Sequence, residues 1–227
     1  MFDDFFVIFN LRRNKKYDIF PFGFRLLTLN YFYMSRNISL TEKKQIALIQ
    51  NAGHDEILKF IWTYPSFRFT ANASLIFIER GNTEEILAYI ATRPLPERGE
   101  IALIKRGMHQ EILAYVKGHK LFEVAEKALI KRGVKDEILA YLDGNSFSAG
   151  AITDLIHRGD YQEIEKAAKR SSLGAQGELE LINFGVHRQI IAYIKIRKFC
   201  NEVALNALFE RGDKDEIELY KFLYGVQ

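Results

Sequence analysis

Glu126 to Leu142, EKALIKRGVKDEILAYL, decides the fold, because its pattern returns along most of the chain at a nearly constant interval. The pattern reads ALI-x-RG, three variable residues, then EILAYI. Its glycine position is held by Ala52, Gly81, Gly107, Gly133, Gly159, Gly185 and Gly212, at intervals of 29, 26, 26, 26, 26 and 27 residues. Seven copies are therefore visible, and a fixed period in this range marks a solenoid or a similar array.

Each half of the copy reads as a short helix. Val124, Ala125, Ala128, Leu129 and Ile130 share one helical face ahead of Lys131, Arg132 and Gly133. The glycine is a stop signal suited to positive φ, and the basic residues suit the negative end of the helix dipole. Asn82, Asp160 and Asp213 stand three residues before Glu85, Glu163 and Glu216, which predicts a full capping box in three copies. Met108, Val134 and Val186 take the first position in others, leaving the acid to act through the dipole or the helix to start elsewhere. Ile138, Leu139, Tyr141 and Leu142 form the apolar stripe of the second helix, which Gly118 and Gly144 end in the third and fourth copies.

Two helices in 26 residues leave each about nine or ten residues long, too short to be stable alone. Their apolar faces must be buried against neighbouring copies. The predicted fold is all-α, an α-solenoid of about seven 26-residue two-helix repeats over residues 39–227. Stacked helices about 10 Å wide would make an elongated or arc-shaped array on the order of 70 Å long. The copies resemble the αα repeats of HEAT, armadillo and tetratricopeptide proteins in the broad sense. Their period is shorter than the roughly 34 to 47 residues of those families. ALIxRGxxEEILAYI is also similar to tandem repeats of uncharacterised bacterial proteins, a resemblance that implies no activity, substrate or partner.

Residues 1–38 do not fit the pattern. They are crowded with Phe and Tyr, carry Pro21 and Gly23 in their most apolar part, and begin with Asp3 and Asp4 rather than a basic signal. Their longest uncharged run, Leu26 to Ser35, is ten residues, short of the about 20 a membrane span needs. Three readings fit: a cap on the first repeat, a membrane-surface or partner-binding arm, or a stretch upstream of a start at Met34. The first copy is degenerate, with caps offered by Asn37, Ser39 and Thr41. Three extra residues fall in the loop at 63–70, where Trp62 and Phe67 could pack on the N-terminal segment. The fifth copy reads QEIEKAAKRSS with Ala167 in the tyrosine column, followed by Gly174 and Gly177, predicting a bend, a groove or local loosening. Tyr220, Phe222, Leu223 and Tyr224 read as a C-terminal cap.

The net charge is +3, with the excess in two places. Residues 1–38 hold six basic against three acidic residues, and residues 165–200 hold seven against three. In the second region Lys166, Lys169, Arg170, Arg188, Lys195, Arg197 and Lys198 are candidates for a basic patch. Helical spacing scatters them over more than one side, so a solvated face competes with a phosphate-binding surface, whose affinity would fall steeply with salt. Arg80, Arg106, Arg132, Arg158 and Arg211 form a column five residues ahead of Glu85, Glu111, Glu137, Glu163 and Glu216. In the sixth copy both change together, to Phe184 and Gln189, which favours a structural pair over a ligand ladder. Tyr89, Tyr115, Tyr141, Tyr193 and Tyr220 read as a packing stripe with hydroxyls at the rim.

Chemistry is sparse. Cys200 is the sole cysteine, which points to a reducing, cytoplasmic setting without a disulfide within the chain or a thiolate metal cage. His54, His109 and His187 share one repeat position, but copies about 10 Å apart cannot gather them around one ion. No phosphate-binding glycine loop, nucleophile elbow or metalloprotease helix is present. The expectation is a non-enzymatic scaffold, without cofactor or metal, that binds another protein. The alternative is nucleic-acid binding through residues 166–198, favoured by a basic groove, where an apolar or mixed-charge groove favours a protein.

Overall fold

A computed structural model describes residues 39–225. The readings placed on residues 1–38, the cap, the arm and the start at Met34, lie outside the described residues.

Seven two-helix copies follow one another: α1 (Glu42–Asn51) and α2 (His54–Thr63), α3 (Ala71–Arg80) and α4 (Thr83–Ile90), α5 (Glu97–Arg106) and α6 (His109–Val116), α7 (Glu123–Arg132) and α8 (Lys135–Gly144), α9 (Ala149–Arg158) and α10 (Tyr161–Arg170), α11 (Gly174–Phe184) and α12 (His187–Ile194), and α13 (Glu202–Arg211) and α14 (Lys214–Tyr224). Odd-numbered helices pack on odd-numbered ones and even on even, so each copy adds one helix to each of two layers. No strand occurs among the described residues. The described residues form an all-α solenoid.

The turn inside each copy explains the stop residue. Gly107, Gly133, Gly159 and Gly212 take φ between 74° and 83°, the left-handed conformation that glycine adopts without strain. Gly185 is different: its φ is −68°, yet a side chain there would collide with the Leu181 carbonyl oxygen. One column of glycines thus serves two requirements, dihedral freedom in four copies and bare space in the second and sixth, where Gly81 also has negative φ and faces the Phe77 carbonyl oxygen.

The core is continuous from Ile49 to Tyr220. Ala125, Leu129 and Ile130 are buried as the stripe requires, whereas Val124 is 52% exposed and lies off it. Phe67 packs edge-on against Phe60 and Phe69 inside the array, while Trp62 stays exposed. The fifth copy is not loosened, because α10 is an unbroken helix with Ile164, Ala167 and Ala168 buried. The C-terminal cap is half formed. Tyr220 stacks on Phe199 and the Tyr224 hydroxyl donates to the Ile194 carbonyl at 2.7 Å, but Phe222 is 85% exposed and Leu223 also points outward.

Candidate functional site

Three polar seams run along the array, each recurring in several copies, and together they account for most of the residues that looked functional in sequence.

The first seam lies at the turn within each copy. Arg132 Nε donates to Glu137 at 2.9 Å and its Nη2 donates to the Gly107 carbonyl of the preceding copy at 2.8 Å. Arg158 repeats both contacts, with Glu163 at 3.0 Å and the Gly133 carbonyl at 2.7 Å. Arg106 and Arg211 pair with Glu111 and Glu216 at 3.2 and 3.3 Å and reach the carbonyls of Ile78 and Ile182. The arginine column is therefore an inter-repeat suture. Arg80 keeps the inter-repeat bond, donating to the Ala52 carbonyl at 2.7 Å, but not the pairing across the turn, since Glu85 is held by His54 at 2.9 Å. The paired change in the sixth copy has a plain cause. Gln189 accepts from the Val186 N–H at 3.0 Å and donates to the Ile156 carbonyl at 3.1 Å, so one amide does the work of the acid and of the missing arginine.

The same suture corrects the capping boxes. Only Asn82 and Glu85 make both reciprocal bonds, at 2.9 and 3.3 Å. Asp160 and Asp213 cap Glu163 and Glu216, but those carboxylates turn to the arginines instead of returning the bond. The helices still start at His109, Lys135 and His187 where the cap position is Met108, Val134 or Val186.

The histidine column belongs to this seam too. His54, His109 and His187 place Nδ1 at 2.9, 2.8 and 3.0 Å from Glu85, Glu137 and Glu216 of the following copy. The bond to Glu85 raises the His54 pKa above the ordinary imidazole range. Lys135 occupies the same position in the fourth copy and pairs with Asp160 at 2.7 Å.

The second seam is buried. Glu100, Glu126 and Glu178 stand seven residues before their glycines and are at most 1% exposed. Each takes a hydrogen bond from the tyrosine of its own copy: Tyr115, Tyr141 and Tyr193, at 2.9, 2.6 and 2.6 Å. The other carboxylate oxygen accepts a backbone N–H of the next copy, from Phe122, Ser148 and Cys200 at 2.8, 2.8 and 3.0 Å. The tyrosine hydroxyls are thus not at a rim; Tyr115 and Tyr141 are fully buried. Burial pushes the Glu100 carboxyl up to about 7, and burial together with the neighbouring carboxylate lifts the Tyr115 and Tyr141 hydroxyls well above the ordinary phenol range. A glutamate recurring seven residues before the glycine is visible in the sequence. It is concealed there because surface helices are rich in glutamate, so a column of it does not stand out as a core position.

The third seam joins the ends of the even-numbered helices. Arg93 donates to the carbonyls of Ile61 and Tyr64 at 2.6 and 3.0 Å and lies 5.0 Å above the Tyr89 ring, with burial lowering its pKa. His119 and Arg197 make the equivalent bonds, to the carbonyls of Ile90 and Ala168 at 2.8 Å each.

These seams dismantle much of the basic patch. Packing of α10 on α12 brings its two groups together, but four of the seven cations are committed internally. Lys166 pairs with Asp143 and Lys169 with Glu165, both at 2.6 Å, Arg170 donates to the Gly144 carbonyl at 2.6 Å, and Arg197 serves the third seam. Arg188, Lys195 and Lys198 are exposed and make no ion pair among the described residues. Between α10 and α12 runs a groove of about 540 Å³ lined by Tyr161, Glu165, Arg188, Ile191, Lys195 and Ile196, among others. A second groove, of about 530 Å³ between α3 and α5, has Leu75 and Ile101 in its lining with Glu79, Arg98 and Lys105. No helix among the described residues is long and apolar enough to cross a membrane. No family model, curated protein or solved structure matches the chain.

Proposed function

We propose that this chain is a non-enzymatic helical-repeat scaffold that binds another protein, in keeping with the broad HEAT, armadillo and tetratricopeptide resemblance of its repeats. The observation that carries the reading is the α10–α12 groove, whose lining combines Ile191, Ala192 and Ile196 with Tyr161 and with charges of both signs, Glu165, Arg188 and Lys195. Apolar anchor sites ringed by polar groups suit a protein segment with a buried apolar side chain. The uncommitted Arg188, Lys195 and Lys198 favour acidic residues flanking that anchor. The columns of arginine, tyrosine, histidine and glutamate support the same conclusion from the other side, since their polar atoms hold copy to copy. A reducing, cytoplasmic setting fits the lone thiol.

The test is partner capture by the full chain and by an Ile191→Asp, Lys195→Glu variant. A protein retained by the wild type and lost by a variant of unchanged melting temperature supports the groove. Equal retention rejects it. Nucleic-acid binding is the second reading, resting on those three exposed cations. Micromolar binding of a fluorescent duplex that weakens steeply with salt, and disappears when Arg188, Lys195 and Lys198 are neutralised, would put it first.

A further inference from the structure

At the junction of the sixth and seventh copies, His187 from the start of α12 meets Asp213 and Glu216 from the first turn of α14. Its Nδ1 lies 3.3 Å from Asp213 Oδ2 and 3.0 Å from Glu216 Oε1, and one donor atom from each residue falls within 4.8 Å of the others. Zinc bonded to N and O donors at about 2.0 Å places its ligands about 3.3 Å apart, close to these separations.

An internal comparison shows what is unusual here. The fifth copy carries the same two acids, Asp160 and Glu163, beside the same arginine column, Arg158. There the residue reaching across from the preceding copy is Lys135, whose ammonium supplies a second positive charge at 2.7 Å from Asp160. At the last junction Arg211 is again present, but the bridging residue is a histidine. Lysine brings a fixed positive charge to its carboxylates, whereas histidine brings a ring nitrogen that can ligate a metal. Glu216 is fully buried with its two oxygens divided: Oε1 faces His187 Nδ1 at 3.0 Å, and Oε2, without a hydrogen bond, faces Arg211 Nε at 3.3 Å. The outer edge of the set is open, since the His187 side chain is 45% exposed.

We propose that His187, Asp213 and Glu216 form a divalent transition-metal site, with Zn²⁺ the best fit to one nitrogen and two oxygen donors, that clamps the seventh copy to the sixth. Asp213 Oδ2 and Glu216 Oε1 are the carboxylate ligands. Asp213 Oδ1 stays on the Glu216 N–H at 3.2 Å, and Arg211 orients Glu216 from behind. Water completes the coordination on the exposed side. Arg211 and the two helix N-termini oppose a cation, so the affinity is set by the ligand bonds alone and falls well short of a structural cysteine cage.

The experiment titrates the metal-free full chain with Zn²⁺ and Co²⁺, following bound stoichiometry, Co²⁺ visible absorption and melting temperature, with Mg²⁺ and Ca²⁺ as all-oxygen controls. One equivalent of Zn²⁺, a Zn²⁺-dependent rise in melting temperature and tetrahedral Co²⁺ bands are expected. His187→Lys copies the Lys135–Asp160 arrangement, so it should fold without metal while losing both the binding and the rise; Asp213→Asn should lose the binding. Absence of stoichiometric Zn²⁺ uptake by the wild type, or uptake unchanged in both variants, overturns the site and leaves an ordinary hydrogen-bonded junction.

Discussion

The junction between the third and fourth copies and the junction between the fifth and sixth solve the same packing problem in opposite ways. In the former, buried Glu100 ties the Tyr115 hydroxyl to the Phe122 N–H of the next copy. In the latter, Ile152 replaces the acid and Ala167 the tyrosine, and the next copy moves in close. A Cβ on Gly177 would sit 2.9 Å from Ile152, and the Gly174 N–H that would otherwise need the acid donates to Ser172 at 3.1 Å. The junction between the second and third copies also closes without a carboxylate. Ser74 takes the acid's place, Gly99 faces it, and the backbone position that would need an acceptor is Pro96, which has no N–H. The lesson is that a buried carboxylate is kept only where it has both a hydroxyl and an orphan N–H to serve. Where either is missing, an uncharged side chain takes its place: Ile152 and Ser74 close against a glycine, and Gln45, whose copy lacks the column tyrosine, offers the Thr70 N–H an amide oxygen.

The sharpest way to break this comparison is Tyr141→Ala. It opens a cavity and strips Glu126 of its 2.6 Å hydroxyl, so a loss of about 3 to 5 kcal/mol is expected in denaturant unfolding. Adding Glu126→Ile, the fifth-copy solution, should recover part of it; strictly additive losses would show that the two residues are not a unit. Next comes Arg132→Ala, which leaves Glu137 buried with one partner fewer and should cost about 2 to 3 kcal/mol. The pair Arg132→Phe, Glu137→Gln copies the sixth copy and should be less harmful than Arg132→Ala alone.

A pH titration sharpens the comparison at Glu100. Its folded carboxyl holds its proton up to about 7, above the ordinary value of 4.5, because burial penalises the charge. The folded state therefore binds more protons than the unfolded chain between these values. Its stabilising contribution is complete below pH 4.5 and is lost as pH rises through 7. The loss is at most about 3 kcal/mol. Glu100→Gln should flatten that slope while keeping the Phe122 bond, since Gln45 Oε1 already accepts the Thr70 N–H in the first copy. An unchanged slope in the variant would place the titration elsewhere. The smallest effect is Gly159→Ala, where a methyl meets open space and only the left-handed φ of 83° is strained, for about 1 to 2 kcal/mol.

How legible the molecule was depended on whether a residue's partners lay within one copy. The glycine period, the two helices per copy and the arginine–glutamate pairing across the turn are all local, and each stands in the structure, with Arg80 the departure. The basic patch was legible only as composition. Four of its seven cations are spent on Asp143, Glu165 and backbone carbonyls, partners supplied in part by a copy about 25 residues away. The cluster of His187 with Asp213 and Glu216 was missed for the same reason: the histidine column was compared with itself, and its partners sit one copy on.

By itself the sequence determined the repeat, the helical class and the places where each helix stops, because these follow from hydrophobic spacing and backbone freedom in a stretch of 26 residues. Only the tertiary structure decided which polar residues are buried and what they hold. A glutamate in a helix carries the same local signal whether it faces water or the next copy, and its role is set when stacking removes the water and leaves a tyrosine, an arginine or a backbone N–H as its partner.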